Sequence, residues 1–177
     1  MKKLESGRSM VEMLGVLAII GVLSIGGIAG YVLSMNRFRA NAMLDVANKY
    51  ASIVFSSYQS YVANGNAVSD WTAPSLATSK LEGTLQPGTS IAVNKTTNDA
   101  GAISGNDVNV LITFPSKDIC ETALGIAGYT LGEETSAGSA DPVVNEDDPM
   151  IRNCSKEVAD TENNIQKSSG IFTFKQS

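Results

Sequence analysis

Gly7-Arg8-Ser9-Met10-Val11-Glu12-Met13-Leu14-Gly15-Val16-Leu17-Ala18-Ile19-Ile20-Gly21-Val22-Leu23-Ser24-Ile25 is the stretch on which the reading of this chain turns. From Met13 to Asn36 there is no charged side chain. As a helix this run is about 36 Å long, enough to cross a hydrocarbon core of about 30 Å. Glu12 stands at its mouth. A carboxylate at mid-membrane costs about 2.5–3.5 kcal/mol, and less near the interface, so the position of Glu12 raises the question of its partner.

Working outward, Lys2 and Lys3 form a positive flank that favours a cytoplasmic N-terminus with the rest of the chain across the membrane. Arg37 and Arg39 on the far side make the charge bias weak. The alternative is an ordinary secretory signal cut at the small residues Gly27-Ile28-Ala29. The length of the run, the presence of Glu12 and a helical pattern that continues past the run weigh against it. Gly26 and Gly30 have the spacing that lets membrane helices approach closely. Alternatively, Gly26-Gly27 marks a soft place in the helix.

Beyond Tyr31, Met43, Ala47, Tyr50, Val54, Tyr58 and Tyr61 recur at spacings of three and four, while Asn41, Asp45, Asn48, Lys49, Ser52 and Ser56 are polar. The pattern predicts one helix running to about Tyr61, its stripe a core face and not a ligand site. Asn64-Gly65-Asn66 should end it, with Gly65 in the capping position.

The remainder reads as a small α+β head. Residues 67–86 form a loop pinned by Trp71, Leu76, Leu81 and Leu85. Ser90–Asn94 is a weak strand, and Val108–Phe114 is the strongest in the chain, stopped by Pro115. Ser116 caps a short helix to about Ala127, in which Ile119, Ala123 and Ile126 share a face with Cys120 alongside, and Gly128 closes it. Gly132 to Pro149 is read as a surface loop. Its Asn145-Glu146-Asp147-Asp148 cluster has oxygen ligands but not the spacing of a calcium loop, so a solvated loop is preferred and no metal site or cofactor is expected. Gly170–Lys175 alternates as a closing strand.

Composition narrows the function classes. Without histidine there is no Ser-His-Asp or Cys-His nucleophile pair and no His-based zinc site. No other constellation supports catalysis, so the expectation is a protein that is not an enzyme. The net charge of −5 is unsuited to non-specific nucleic-acid binding. Cys120 and Cys154, an even count in a chain that reads as exported, favour one disulfide over two separate buried thiols. Such a loop would constrain the unfolded chain by about 3–4 kcal/mol.

A short basic segment ending in Gly7, Glu12 five residues on, and an unbroken glycine-bearing apolar helix through Tyr31 together resemble the N-terminus of type IV prepilins. The resemblance implies a leader at 1–7, cleavage between Gly7 and Arg8 by a prepilin peptidase, and N-methylation of Arg8. Residues 8–35 would form the transmembrane and assembly half of the N-terminal helix, and residues 36–177 a periplasmic or extracellular head. Without the leader the net charge moves to about −6. Arg8 stands where the family usually has a large apolar residue, and Ala29 where many members carry a helix-bending proline.

In the head, the strong strand, the helix bearing Cys120, the long excursion to Cys154 and the terminal strand resemble type IVb pilins, whose cysteines close a D-region over a twisted antiparallel sheet. The implied function is a pilus subunit held in the inner membrane, N-terminus inside, until it polymerises with itself and other pilins at an inner-membrane assembly platform. Glu12 would then meet the amine of Arg8 on a neighbouring subunit. A pseudopilin of a type II secretion system shares the same helix and processing, and a membrane-anchored periplasmic binding protein is the reading from another class.

Overall fold

In the computed structural model the backbone is described for residues 5–95, 98–132, 141–145, 147–160 and 165–176, with side chains described from residue 10 onward except at 160 and 165. Two compact units divide between Asn36 and Arg37. The first helix, α1, spans Glu5–Ala63. In the first unit its apolar side chains face outward: Met10 and Val11 are each 70% exposed, and Val22, Ile25 and Ile28 are likewise exposed. The Ser24 hydroxyl, within this run, donates to the Ile20 carbonyl one turn back at 2.8 Å, which satisfies it without water. A Cβ at Gly15, Gly21, Gly26, Gly27 or Gly30 would meet nothing within 4 Å, so nothing inside the subunit requires glycine there.

In the second unit α1 changes character. Ala40, Met43, Ala47, Tyr50, Ala51 and Val54 are buried as one stripe, with Tyr58 and Tyr61 packed at its margin. The helix stops where expected. Gly65 takes φ +77°, its amide bonds to the Val62 carbonyl, and the side-chain amides of Asn64 and Asn66 cover the carbonyls of Ser60 and Tyr61.

Opposite the stripe lies an antiparallel sheet. Its strands are β1 (Ser90–Val93), β2 (Ile103–Ser104), β3 (Asp107–Phe114), β7 (Val158–Asp160) and β8 (Ile165–Lys175), in the order β1-β3-β8-β7 with β2 also on β3. Strict alternation in β3 sends Val108, Val110, Ile112 and Phe114 into the core, all fully buried, and Phe172 of β8 joins them. Between β3 and the later strands comes α2 (Lys117–Ile126), capped by the Ser116 hydroxyl, which accepts from the Ile119 amide. It ends in a Schellman turn, with Gly128 at φ +87° and the Tyr129 amide on the Leu124 carbonyl at 3.0 Å.

Three expectations need correction. Ile126 does not share the buried face of α2: Ile119, Cys120, Ala123 and Leu124 form that face, and Ile126 is 42% exposed. It sits in the last turn, where the chain leaves the core and the side chain borders an open groove. The excursion after Gly128 is not only loop. β4 (Thr130–Leu131), β5 (Val143–Val144) and β6 (Ile151–Asn153) form a second small sheet, with β6 parallel to β4 and antiparallel to β5. The closing strand is also longer than expected, because Ile165–Ser169 extend it toward its N-terminal end and β7 pairs with the first three residues of that extension. Polar residues hide this part from a hydrophobic pattern, yet their backbone pairs like any other. Residues 133–140 and Glu146, and with them part of the acidic cluster, lie outside the described residues.

The crossing from α1 to β1 is held by a polar cluster. Tyr50 Oη donates to the Pro74 carbonyl at 2.9 Å, while the Asp99 carboxylate accepts from the Ala73 amide and from Lys95 Nζ, both at 2.8 Å. Trp71, buried beside this cluster, meets Tyr58 edge to face at 5.2 Å. Burial, and then the Asp99 charge, push the Tyr50 hydroxyl above its ordinary pKa. The Lys95 hydrogen bond, and then the Ala73 amide, hold Asp99 below the usual carboxylate range.

A group whose pKa is lower folded than unfolded contributes stability above its unfolded pKa and loses it as pH falls through the folded one. Asp99 therefore stabilises the crossing at neutral pH, and the contribution begins to fall below about pH 4, where the unfolded carboxyl takes up its proton. In urea unfolding, Asp99→Asn is expected to be less stable than the parent at pH 7, with a smaller difference at pH 3. A difference of equal size at both pH values would show that the charge is not what holds Ala73.

Candidate functional site

Two regions carry the functional residues expected from the sequence. The first is the start of α1. Gly7 and Arg8 lie within its backbone span, but their side chains are outside the described residues, and residues 1–4 of the expected leader are outside the described backbone. Glu12 is in the helix and exposed, as are Met13 and Leu14 after it. Among the described residues one helix, near the N-terminus, is long and apolar enough to cross a membrane, and none of its most apolar window is buried. Apolar surface of this extent is costly in water at about 25 cal/mol per Å².

The second region surrounds Cys120 and Cys154, which form a disulfide with Cα atoms 6.2 Å apart. Cys120 is fully buried on α2, and its sulfur presses on β8, where a Cβ at Gly170 would come within 3.0 Å of Sγ and of the Phe172 ring. Glycine at that point permits the close approach.

Beside the disulfide lies a residue the sequence reading missed. Arg152 of β6 is only 6% exposed. Its Nη1 donates to the Ile171 carbonyl at 2.6 Å, Nη2 to Thr173 Oγ1 at 2.9 Å and Nε to the Pro149 carbonyl at 3.0 Å. The guanidinium carbon rests 3.9 Å from the Tyr129 ring centroid, a cation–π contact in a half-buried setting. Burial pulls its pKa below the ordinary value, with Tyr129 opposing. Arginine keeps its charge even so. The Tyr129 hydroxyl in turn accepts from the Thr173 amide at 3.0 Å, and Thr173 Oγ1 donates to Asn109 Oδ1 at 2.7 Å. No spacing marks Arg152 in the sequence, because its partners are backbone groups and residues brought from β8 and from the turn after α2.

Below Tyr129 an open groove of about 400 Å³ runs along Asn41, Leu44, Asp45, Asn48, Ile126, Ala127, Phe172, Thr173 and Phe174. Its polar side chains are the amides of Asn41 and Asn48, the Asp45 carboxylate, which is ion-paired to Lys49 at 2.6 Å, and the hydroxyls of Thr173 and Tyr129, already bonded to Asn109 and to the Thr173 backbone. These groups can hydrogen bond, but they include no nucleophile held beside a base. Among the described residues no group of three or more acidic, Cys or His side chains is placed to hold a metal ion. Asn145 Oδ1 accepts from the amides of Asp147 and Asp148, and Asp148 Oδ1 accepts from Met150, so those oxygens serve local turns.

Comparison with known proteins finds no matching family model, no matching curated protein and no matching solved structure.

Proposed function

We propose that the chain is a structural subunit of a type IV pilus, made as a prepilin, cut after Gly7 by a prepilin peptidase, methylated on Arg8 and polymerised through α1. The observation that carries this reading is the division of labour within one helix: an apolar segment with no buried window, followed by a stripe from Ala40 to Val54 that forms the core of a head. An anchor alone needs only the first half. A helix that first waits in lipid and later packs among its copies needs an outward apolar surface in both settings, and a head that folds without using it.

Glu12 supplies specificity in this reading. At the end of the apolar run it tolerates the membrane interface, and in a dry helical bundle it requires a positive partner, which the new amine of Arg8 on a neighbour provides. Gly26 and Gly30, unconstrained within the subunit, are then available for close helix contact between copies. The subunit sits in the inner membrane with its N-terminus inside before assembly, and on the cell surface in the filament after it. Its partners are its own copies, other pilins, the peptidase and the assembly platform, and its role is not enzymatic.

Mass spectrometry of the native N-terminus tests the proposal. The expected chain begins at a methylated Arg8, and Gly7→Ala should leave at least nine-tenths of it uncut. A mature chain starting at Met1 or near Gly30, or normal processing of the Gly7 variant, would overturn it.

A further inference from the structure

The chain from Arg152 to Ser155 lies against β8 as a strap, and the disulfide at its centre leads to a different element. Cys154 is tied to Cys120 on α2. The residues on either side of it are tied to β8 by contacts that involve no sulfur. Ahead of Cys154, Arg152 bonds to the Ile171 carbonyl and the Thr173 hydroxyl. After it, Ser155 brackets Ser169: the Ser155 amide donates to the Ser169 carbonyl at 2.8 Å, and the Ser155 hydroxyl accepts from the Ser169 amide at 2.8 Å. The Ser155 carbonyl accepts from the buried Ser168 hydroxyl at 2.7 Å.

Each of these contacts fixes the strap along β8, which a bond to α2 does not do. They are also well suited to persist alone. The guanidinium donates through all three of its nitrogens and stacks on Tyr129, so its polar group is held by acceptors and a ring inside the site. Ser155 and Ser168 are buried with their hydroxyls bonded, so releasing the strap would strand Ser168 unless water entered.

We infer that this clamp of Arg152 and Ser155 on β8 holds the strap in its native position before the disulfide forms and without it. Closure of Cys120–Cys154 then secures an arrangement already made, and the head keeps its fold in the dithiol state. The inference is independent of the proposed function, since it concerns only the second unit.

The test is amide hydrogen exchange, read residue by residue by NMR on the full chain in detergent micelles, for the parent and for the double variant Cys120→Ala, Cys154→Ala. The Ser155 and Ser169 amides are expected to stay within tenfold of parental protection, and Ile112 in β3 to stay protected. If Ser155 and Ser169 exchange as fast as the exposed Glu157 amide while Ile112 is retained, the disulfide holds the strap and the inference fails. Loss of protection at Ile112 as well also overturns it, because the clamp is then insufficient for the fold. Adding Arg152→Ala to the double variant is expected to release Ser155 and Ser169 by 100-fold or more with Ile112 retained. Undiminished protection there would remove Arg152 from the clamp.

Discussion

Glu12→Ala is expected to insert in the membrane and to be cut after Gly7 as the parent is, yet to yield essentially no filament. The substitution removes a charge that is a modest burden at the lipid interface, so residence in the membrane should be unaffected or slightly favoured. In the bundle the same change leaves the amine of a neighbour's Arg8 buried without its carboxylate, and breaking a buried pair in this way costs about 3–5 kcal/mol. Repeated at every contact along a polymer, that penalty stops growth. The check is immunoblotting of the sheared surface fraction against the membrane fraction, with electron microscopy of the cells. At least a hundredfold loss of surface subunit at unchanged membrane level is expected. Parental filament yield would remove Glu12 from assembly, and with it the physical account of why a carboxylate stands there. Glu12→Gln separates charge from shape: it keeps hydrogen-bonding capacity but no charge, and should fail nearly as badly.

Phe172→Ala should have the largest effect on the head itself. The ring is 1% exposed, tilted against Phe114 at 6.0 Å between centroids and edge to face with Tyr129 at 6.2 Å. It joins the sheet core to the site where Tyr129 supports Arg152. Truncation at such a position costs about 3–5 kcal/mol, a large part of the 5–15 kcal/mol typical of a domain. Trp71, the single tryptophan and buried in the same core, reports the transition by fluorescence during urea unfolding of the full chain in micelles. A loss below about 1 kcal/mol would show that the aromatic cluster relaxes around the gap.

What could be read from the sequence follows from how local each signal is. The apolar run, the stripe from Met43 to Val54, the stop at Gly65 and the alternation of β3 each depend on residues within a few turns or one strand, and each appears as expected in the structure. The disulfide was favoured by count and compartment, and it forms. Nonlocal features were not legible. Arg152 sits in a strand of three residues and is buried only because β8 and Tyr129 close over it. β7 is only three residues long, and the first part of β8, from Gln166 to Ser169, carries amide, charged and hydroxyl side chains, so neither shows an apolar period even though Ser168 is almost fully hidden. Ile126 misled for the opposite reason, since its spacing is right for the core face but the helix ends before the core reaches it. At the start of α1, Glu12 stands out in the sequence as an anomaly, and the role proposed for it depends on molecules other than this chain.

The order of strands in the main sheet bears on a hazard that any highly concentrated subunit faces. β3 and β8, with eight and eleven residues, are the long strands, and β3 is interior, with the short β1 and β2 along one side and β8 along the other. On its far side β8 meets a strand only at Ile165–Lys167, where β7 pairs, and beyond that its backbone at Ser169, Ile171 and Thr173 is occupied by Ser155, Arg152 and the Tyr129 hydroxyl. Sheets with long bare margins recruit one another through their unpaired backbone groups and grow into insoluble fibres. Short or occupied margins give such growth little template. If copies add through the helix as proposed, the sheets remain closed to each other at a crowded growth point, and ordered polymer is kept apart from aggregate.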